Sequence, residues 1–164
     1  MTFSKELIGI VLFLSISFSQ ELELDMSKQK ENLTEMQYYV TQLCGTEPAF
    51  DNEFWNHKEK GIYVDIVSGE ALFASVHKYD SGSGWPSFYE TIDKKSLTFE
   101  NDYTLIMPRK EVKGKTSDSH LGHVFNDGPN LTGLRYCINS AALKFIPLDE
   151  MKKRGYGEFL YLFD

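Results

Sequence analysis

The chain has 164 residues, and its 24 acidic against 17 basic side chains give a net charge of −7. This length fits one domain with a buried core. Phosphate binding needs clustered lysine and arginine, which an acidic chain of this kind lacks, so we expect neither nucleic acid nor anionic membranes as partners.

The N-terminus resembles a signal peptide. Lys5 precedes the almost wholly apolar run Leu7–Phe18, and a small-x-small pattern then leads into a polar stretch. This order is typical of a cleaved export signal, and the run is short for a membrane span of about 20 residues. An uncleaved anchor is the alternative. We expect a signal peptide over 1–19, a flexible leader over 20–31, and a periplasmic or secreted protein without stable membrane association after cleavage.

The segment Asn32–Leu43 has the apolar spacing of one helix. Asn32 followed by Glu35 is typical of a capping box, and Gly45 is expected to end the helix. Cys44 would then lie at the negative end of the helix dipole, which does not favour a thiolate.

From Gly61 onward the chain consists of short apolar or alternating runs separated by Gly, Pro, Asp and Asn. Such a pattern predicts strands joined by turns, without the strand–helix alternation of a parallel sheet. We therefore expect one mainly β domain over residues 32–164, built from antiparallel strands.

Cys137 is one of only two cysteines in the chain. If Leu134–Asn139 is a strand, Arg135, Cys137 and Asn139 share its polar face because side chains alternate. Arg135 would lower the pKa of the thiol. Two readings compete with a reactive thiol: a small core residue, and a structural disulfide with Cys44 in an oxidising compartment.

Two histidines lie close together in the stretch SHLGHVFN. His120 and His123 are candidates for proton transfer at neutral pH. Their spacing puts them on opposite faces of a regular strand, so a shared site requires a turn or bulge at Gly122. Either one alone is as well explained as a surface or packed residue.

The stretch YDSGSGWPSFYE is predicted to form a constrained loop that presents Trp85 and Phe88. Aromatic side chains in such a loop suit a small apolar ligand group, or else plug the core. The chain has neither a Cys-x-x-Cys pair nor His-Glu-x-x-His, so we expect no metal site, and it has no nucleotide-binding loop.

Taken together, four stretches resemble the B class of methionine sulfoxide reductases, enzymes that reduce the R epimer of methionine sulfoxide. They are CGTEPAF, GIYVDIVSGEALFASVHKYDSGSGWPSF, SDSHLGHVFNDGP and GLRYCINSAALKF, between about Leu33 and Phe145. The resemblance implies a fold of two twisted antiparallel sheets, the β-tent of this family, with short flanking N-terminal helices.

The resemblance also implies roles for individual residues. Cys137 matches the catalytic cysteine, and His120, His123 and Asn139 match its catalytic partners. Trp85 matches the residue that contacts the S-methyl group of the substrate. Phe125 and Arg135 fall at positions that line the same pocket.

This chain departs from the family pattern in two places. Where many members hold structural zinc with two Cys-x-x-Cys pairs, it has Asp65 and Ser68, then Gly114 and Ser117. This implies a zinc-free member without a cofactor. Where many members have their resolving cysteine, it has Ser83, which leaves Cys44 as the resolving candidate.

The implied reaction is a thiol-dependent reduction, mainly of protein-bound methionine sulfoxide. Cys137 becomes a sulfenic acid, Cys44 converts it to a disulfide, and a thioredoxin-like donor reopens that bond. One alternative is that an external thiol reduces Cys137 directly and Cys44 takes no part. Another is a non-catalytic binding module with a permanent disulfide. We expect a monomer.

Overall fold

The computed structural model describes Gln20, Glu23 and residues 25–164, so the expected signal peptide lies outside the described residues. Within the described part of the chain, no helix combines the length and apolarity needed to cross a membrane. The chain divides into two compact units, residues 1–32 and Leu33–Asp164.

In the first unit, residues 25–31 are helical, whereas a flexible leader was expected there. Met, Lys, Gln and Glu, which favour helices, dominate this stretch. The Asn32 side chain donates to the Lys28 carbonyl, so Asn32 follows this helix. Its expected role as the N-cap of the next helix was wrong.

The second unit begins with helix α1 (Glu35–Leu43), whose N-cap is Thr34. The Thr34 hydroxyl accepts from the Gln37 backbone at 3.2 Å, and the Gln37 side chain accepts from the Thr34 backbone at 2.9 Å. These two bonds satisfy backbone donors that a helix start leaves free. Cys44 is the C-cap, with φ 53°, as its place at the helix end predicted. The helix packs against the strand His120–Phe125 and the 3₁₀ turn Ser140–Ala142.

The described residues form nine strands in two antiparallel sheets, as the sequence predicted. They are β1 (Gly61–Asp65), β2 (Ala71–Ala74), β3 (Lys78–Tyr79), β4 (Ser87–Phe88), β5 (Leu97–Asp102), β6 (Arg109–Gly114), β7 (His120–Phe125), β8 (Arg135–Ile138) and β9 (Leu143–Pro147). The three-stranded sheet has the order β2-β1-β9, and the six-stranded sheet has the order β3-β4-β8-β7-β6-β5.

Aromatic side chains fill the space between elements of the two sheets. Tyr63 of β1 contacts Phe88 of β4 with ring centroids 5.1 Å apart, and Phe73 of β2 stacks on Phe88 at 4.5 Å. All three are fully buried. Rings of this size bury large apolar areas and hold their neighbours in fixed orientations. The core therefore anchors β4, which lies beside the strand that contains Cys137.

The four positions that replace the zinc ligands meet in one hydrogen-bonded hub. The Asp65 carboxylate accepts from the Ser117 hydroxyl at 2.6 Å and from the backbone of Val67 and Ser68 at 2.8 and 3.1 Å. A side chain on Gly114 would collide with the Asp65 carboxylate. Neither serine nor glycine is a zinc ligand, so these residues do not fit zinc. Hydrogen bonds link the loops that meet at this hub.

Replacing Ser117 with alanine is expected to lower the free energy of unfolding by about 2 kcal/mol, because it removes a donor from a buried carboxylate. Burial raises the pKa of Asp65, and the Ser117 hydroxyl opposes that rise. The loss should therefore be fully present above the Asp65 pKa of the variant and shrink as pH falls through it, where the carboxyl is protonated.

Urea unfolding at several pH values measures this difference. Ser68→Ala is the matched control, because the half-buried Ser68 hydroxyl accepts only from the Glu70 backbone. An equal loss in both variants, independent of pH, would contradict the role given to the carboxylate.

Candidate active site

A single cross-strand row brings the reactive side chains together. Ser87 of β4 is paired with Cys137 of β8, Cys137 with His123 of β7, and His123 with Glu111 of β6. Directly opposed residues in antiparallel strands share one face, with Cβ atoms about 5 Å apart. The thiol is therefore flanked by a hydroxyl on one side and an imidazole on the other.

Gly122 provides the predicted bulge. The β6–β7 register shifts between Val112 and Lys113, so that Gly122 pairs with Val112 and His120 pairs with Lys113. The shift turns His120 to the same face as His123, and the two ring centroids are 5.4 Å apart. A Cβ at Gly122 would collide with the Cys137 carbonyl oxygen, so only glycine fits.

The row opens into a cleft of about 110 Å³. Five of the predicted site residues line it, and four further residues complete it. The predicted ones are Trp85, His123, Phe125, Cys137 and Asn139, and the others are Thr46, Arg109, Gly122 and Ile138. His120, Arg135 and Cys44 do not line the cleft.

Burial sets the protonation state of Cys137. It raises the pKa of the thiol, while the Ser83 hydroxyl, Arg135 and the Ser87 hydroxyl lower it. The effect of Arg135 has the predicted sign, but desolvation outweighs it, so the pKa of Cys137 is raised overall. Ser83 Oγ lies 3.7 Å from Cys137 Sγ, and Ser81 bonds to both Ser83 and Ser87.

His123 is held by a carboxylate that the sequence did not reveal. Its Nε2 lies 2.8 Å from Asp102 Oδ2, which also receives Arg109 at 2.6 Å. Hydrogen bonds from Thr104 hold the pKa of Asp102 well below its usual range, and those from His123 and Arg109 act in the same direction. An ionised carboxylate only accepts, so Nε2 carries the hydrogen and Nδ1 is free to accept a proton.

Burial also lowers the pKa of His123, and the Asp102 hydrogen bond offsets this only in part. The imidazole is therefore neutral near pH 7. A neutral ring with one free nitrogen beside a thiol is arranged to take a proton and later return it.

His120 belongs to a different environment. It is 3% exposed, and its Nδ1 lies 2.5 Å from Glu111 Oε1. Cys44, which is exposed, lies next to this pair. Burial, followed by the charge of Glu111, raises the pKa of Cys44. Both cysteines are free thiols, so the structure contains no permanent bond between them.

Glu47 lies in the segment after α1 and makes hydrogen bonds to residues of the cleft and of the 3₁₀ turn that follows β8. Its carboxylate accepts from the backbone of Ser140 and Ala141, the latter at 2.8 Å. Its backbone carbonyl accepts from Trp85 Nε1 at 3.1 Å, and its backbone N–H donates to Asn139 Oδ1 at 3.2 Å. Glu47 therefore positions two residues of the cleft from one point.

Asn139 bonds to the backbone at both ends of its amide. Besides receiving the Glu47 N–H, it donates from Nδ2 to the Leu121 carbonyl at 3.0 Å. These bonds join the segment after α1 to the bulge in β7. The geometry favours a positioning role for Asn139 over a direct contact with the reacting atoms.

Arg135 reaches the cleft through Phe125. Its guanidinium lies 4.4 Å from the centre of the Phe125 ring and makes two 2.8 Å hydrogen bonds to Asp127. A cation over an aromatic face is stabilising when partly desolvated. Arg135 therefore orients a cleft wall and contributes charge near the thiol without lining the cavity.

A larger cleft of about 380 Å³ lies on another part of the domain. Its lining includes Trp55, three lysines and Tyr79, and neither cysteine takes part. The smaller cleft is the candidate active site because it alone of the two combines a thiol, a histidine and an indole.

The chain matches the model of the SelR domain over residues 33–147. It is also 58% identical over 134 residues to the peptide methionine sulfoxide reductase MsrA/MsrB of Vibrio cholerae serotype O1. That match covers 82% of this chain and 35% of the relative, so the chain spans about a third of the length of the curated protein it resembles.

The chain belongs to the SelR family. The resemblance of its sequence motifs to B-class methionine sulfoxide reductases is thereby confirmed. The matched region begins just before α1 and ends with β9. It therefore contains every cleft residue and both cysteines.

In this SelR domain, replacing Ser83 with alanine is expected to raise the pKa of Cys137, because the Ser83 hydroxyl lowers it. At pH 7 the thiolate fraction should then fall, and alkylation of Cys137 by iodoacetamide should slow severalfold.

The rate is measured against pH in a Cys44→Ser background, so that one thiol reacts. Ser68→Ala, which alters a hydroxyl at the hub, is the control. An unchanged midpoint in Ser83→Ala would show that the hydroxyl does not stabilise the thiolate.

Proposed function

We propose that this chain reduces methionine (R)-S-oxide to methionine, with Cys137 as the nucleophile. The observation that carries the proposal is the pairing of Cys137 with His123 across β8 and β7, in a cleft that also holds Trp85. The Vibrio cholerae relative is a peptide methionine sulfoxide reductase, which supports the proposed reaction class.

The first step is the transfer of a proton from Cys137. Its half-buried thiol is protonated at rest because desolvation raises its pKa. Neutral His123 has Nδ1 free because Nε2 donates to Asp102. His123 takes the proton as the sulfur attacks. Asp102 stabilises the imidazolium that forms, and hydrogen bonds from Thr104, with a smaller effect of Arg109, keep Asp102 ionised.

The second step breaks the S–O bond. The Cys137 sulfur attacks the sulfoxide sulfur, and His123 returns its proton to the departing oxygen. The transient S–S bond formed by this attack and the substrate S–O bond then break as the oxygen moves to the Cys137 sulfur. Cys137 becomes a sulfenic acid, and the sulfoxide, which has gained two electrons, leaves as the thioether. Trp85, fixed by its bond to the Glu47 carbonyl, holds the methyl group and thereby selects one epimer.

Cys44 then resolves the sulfenic acid. Its thiol displaces water to form a Cys44–Cys137 disulfide, and a thioredoxin-like dithiol reduces that bond. Cys44 is exposed and is the C-cap of α1. Because Cys44 is exposed at a helix end, we propose that it can reach both the sulfenic acid in the cleft and an external donor.

The proposed substrate is a methionine sulfoxide within a polypeptide. The cleft of about 110 Å³ suits a single side chain and is open to solvent. The β5–β6 connection beside it exposes Tyr103, Leu105, Ile106 and Met107, an apolar surface for unfolded chain segments. We propose a monomer that acts without zinc or another cofactor.

We further propose that the protein is exported and that residues 1–19 are removed. The support is the sequence pattern alone. N-terminal sequencing of the protein from its host decides the cleavage site. The thioredoxin-like donor would then also operate outside the cytoplasm.

Replacing Cys137 with serine is expected to abolish turnover of racemic methionine sulfoxide with dithiothreitol, because the nucleophile is lost. The unaltered chain should consume half of the racemate and leave the S epimer, which chiral chromatography measures. His57→Gln, outside the cleft, should retain activity. Turnover by Cys137→Ser, or consumption of both epimers, would refute the proposal.

Replacing Cys44 with serine is expected to reduce thioredoxin-driven turnover at least tenfold while leaving dithiothreitol-driven turnover within about twofold, because a small thiol reaches the sulfenic acid directly. Steady-state assays with the two donors measure this ratio. Equal turnover with thioredoxin before and after the change would assign reduction to an external thiol instead.

A further inference from the structure

Cys44, Glu111 and His120 form a compact group outside the cleft. The Cys44 sulfur, a carboxylate oxygen of Glu111 and a ring nitrogen of His120 lie within 4.8 Å of one another. The proposed chemistry at Cys137 uses neither Glu111 nor His120. The position of Glu111 and His120 beside Cys44 therefore needs an explanation other than the proposed reaction.

His120 has an unused nitrogen. The His120 residue is only 3% exposed. Its Nδ1 donates to Glu111, whereas its Nε2 has no hydrogen-bond partner among the described residues. Leaving a buried polar atom unpaired costs about 1–3 kcal/mol. An ion shared by His120 and Glu111 would therefore take the place of this hydrogen bond and bind Nδ1, while Nε2 carries the ring hydrogen.

We propose that Cys44, Glu111 and His120 form a binding site for a divalent transition metal, Zn²⁺ above all. A thiolate, an imidazole and a carboxylate are ligands that zinc accepts together, with a fourth position left to water. The thiolate and carboxylate charges neutralise the ion. Exposed Cys44 gives the ion access.

Two charged neighbours bear on this site. Lys113 is close enough to lower the pKa of Cys44, and Asp102 to raise it. Lys113 is itself paired with Asp118 at 2.5 Å, which reduces its repulsion of a cation. This site is distinct from the Asp65 hub, since the two share no residue.

A bound ion would also control the proposed reaction cycle. Metal coordination occupies the Cys44 sulfur, so Cys44 cannot attack the Cys137 sulfenic acid. This consequence rests on the proposed function, whereas the metal site itself does not. Zinc is thus expected to arrest the enzyme after the first methionine is released.

Co²⁺ titration of the full chain, reduced with a phosphine, tests the site without any activity measurement. We expect one equivalent of Co²⁺ to give a thiolate-to-cobalt charge-transfer band, and Zn²⁺ to displace it. Cys137→Ser should keep the band, and Cys44→Ser should lose it. Absence of the band in the unaltered chain, or its survival in Cys44→Ser, would overturn the proposal.

Glu111→Gln supplies the finer test, with Glu100→Gln as the matched control because Glu100 is paired with Glu111 across β5 and β6. Cobalt affinity should fall at least tenfold in Glu111→Gln and stay unchanged in Glu100→Gln. Circular dichroism checks that both variants fold. Equal affinities would remove Glu111 from the site and refute the three-residue assignment.

The consequence for the cycle is tested in a single turnover without reductant. Saturating Zn²⁺ should leave the first release of methionine unchanged and slow formation of the Cys44–Cys137 disulfide at least tenfold, as mass spectrometry measures. Unchanged disulfide formation would overturn the regulatory role. A chain that releases no methionine would refute the proposed function, while the cobalt spectra would still decide the metal site.

Discussion

The close approach of β7 to β8 at Gly122 is the constraint on which the site depends. With no side chain there, the backbone reaches the Cys137 carbonyl at a distance that any Cβ would block. This contact sets the register that pairs His123 with Cys137. The accompanying bulge also turns His120 to the same face, where it meets Glu111 and Cys44. The cleft and the group of Cys44, Glu111 and His120 thus both depend on the absence of a side chain at Gly122.

The electrostatics of the cleft follow from its burial. Desolvation disfavours a charged Cys137 and a charged His123, so both are neutral at rest. Asp102 holds a firm negative charge, and Arg109 is paired with it. The proposed proton transfer from the Cys137 thiol to the His123 imidazole therefore waits until a substrate is present. The neighbouring hydroxyls and Arg135 are placed to stabilise the sulfur when that happens.

Much of the architecture could be predicted from local patterns. The alternation along β8 correctly separated Cys137 from buried Tyr136 and Ile138, because strand side chains alternate in any context. The bulge followed from a glycine between two histidines. Helix α1 begins two residues later than expected for an Asn32 cap, because Thr34 and Gln37 provide both capping bonds. Met36, one of the apolar residues of this helix, is exposed.

The partners of the site residues could not be predicted in this way. Asp102, Glu111 and Glu47 reach the histidines and the cleft through pairings distant in sequence, and no spacing in the chain signals them. The net rise in the pKa of Cys137 could not be predicted for a related reason. Arg135 is visible two residues away, whereas burial depends on the whole fold.

The hub at Asp65 has a consequence for durability. Metal-bound thiolates are oxidised by the reagents that convert methionine to its sulfoxide, and they then release their ion. A carboxylate held by Ser117 and two backbone amides contains no sulfur to lose. The loops joined at this hub therefore depend on no thiolate that peroxide or hypochlorite could oxidise.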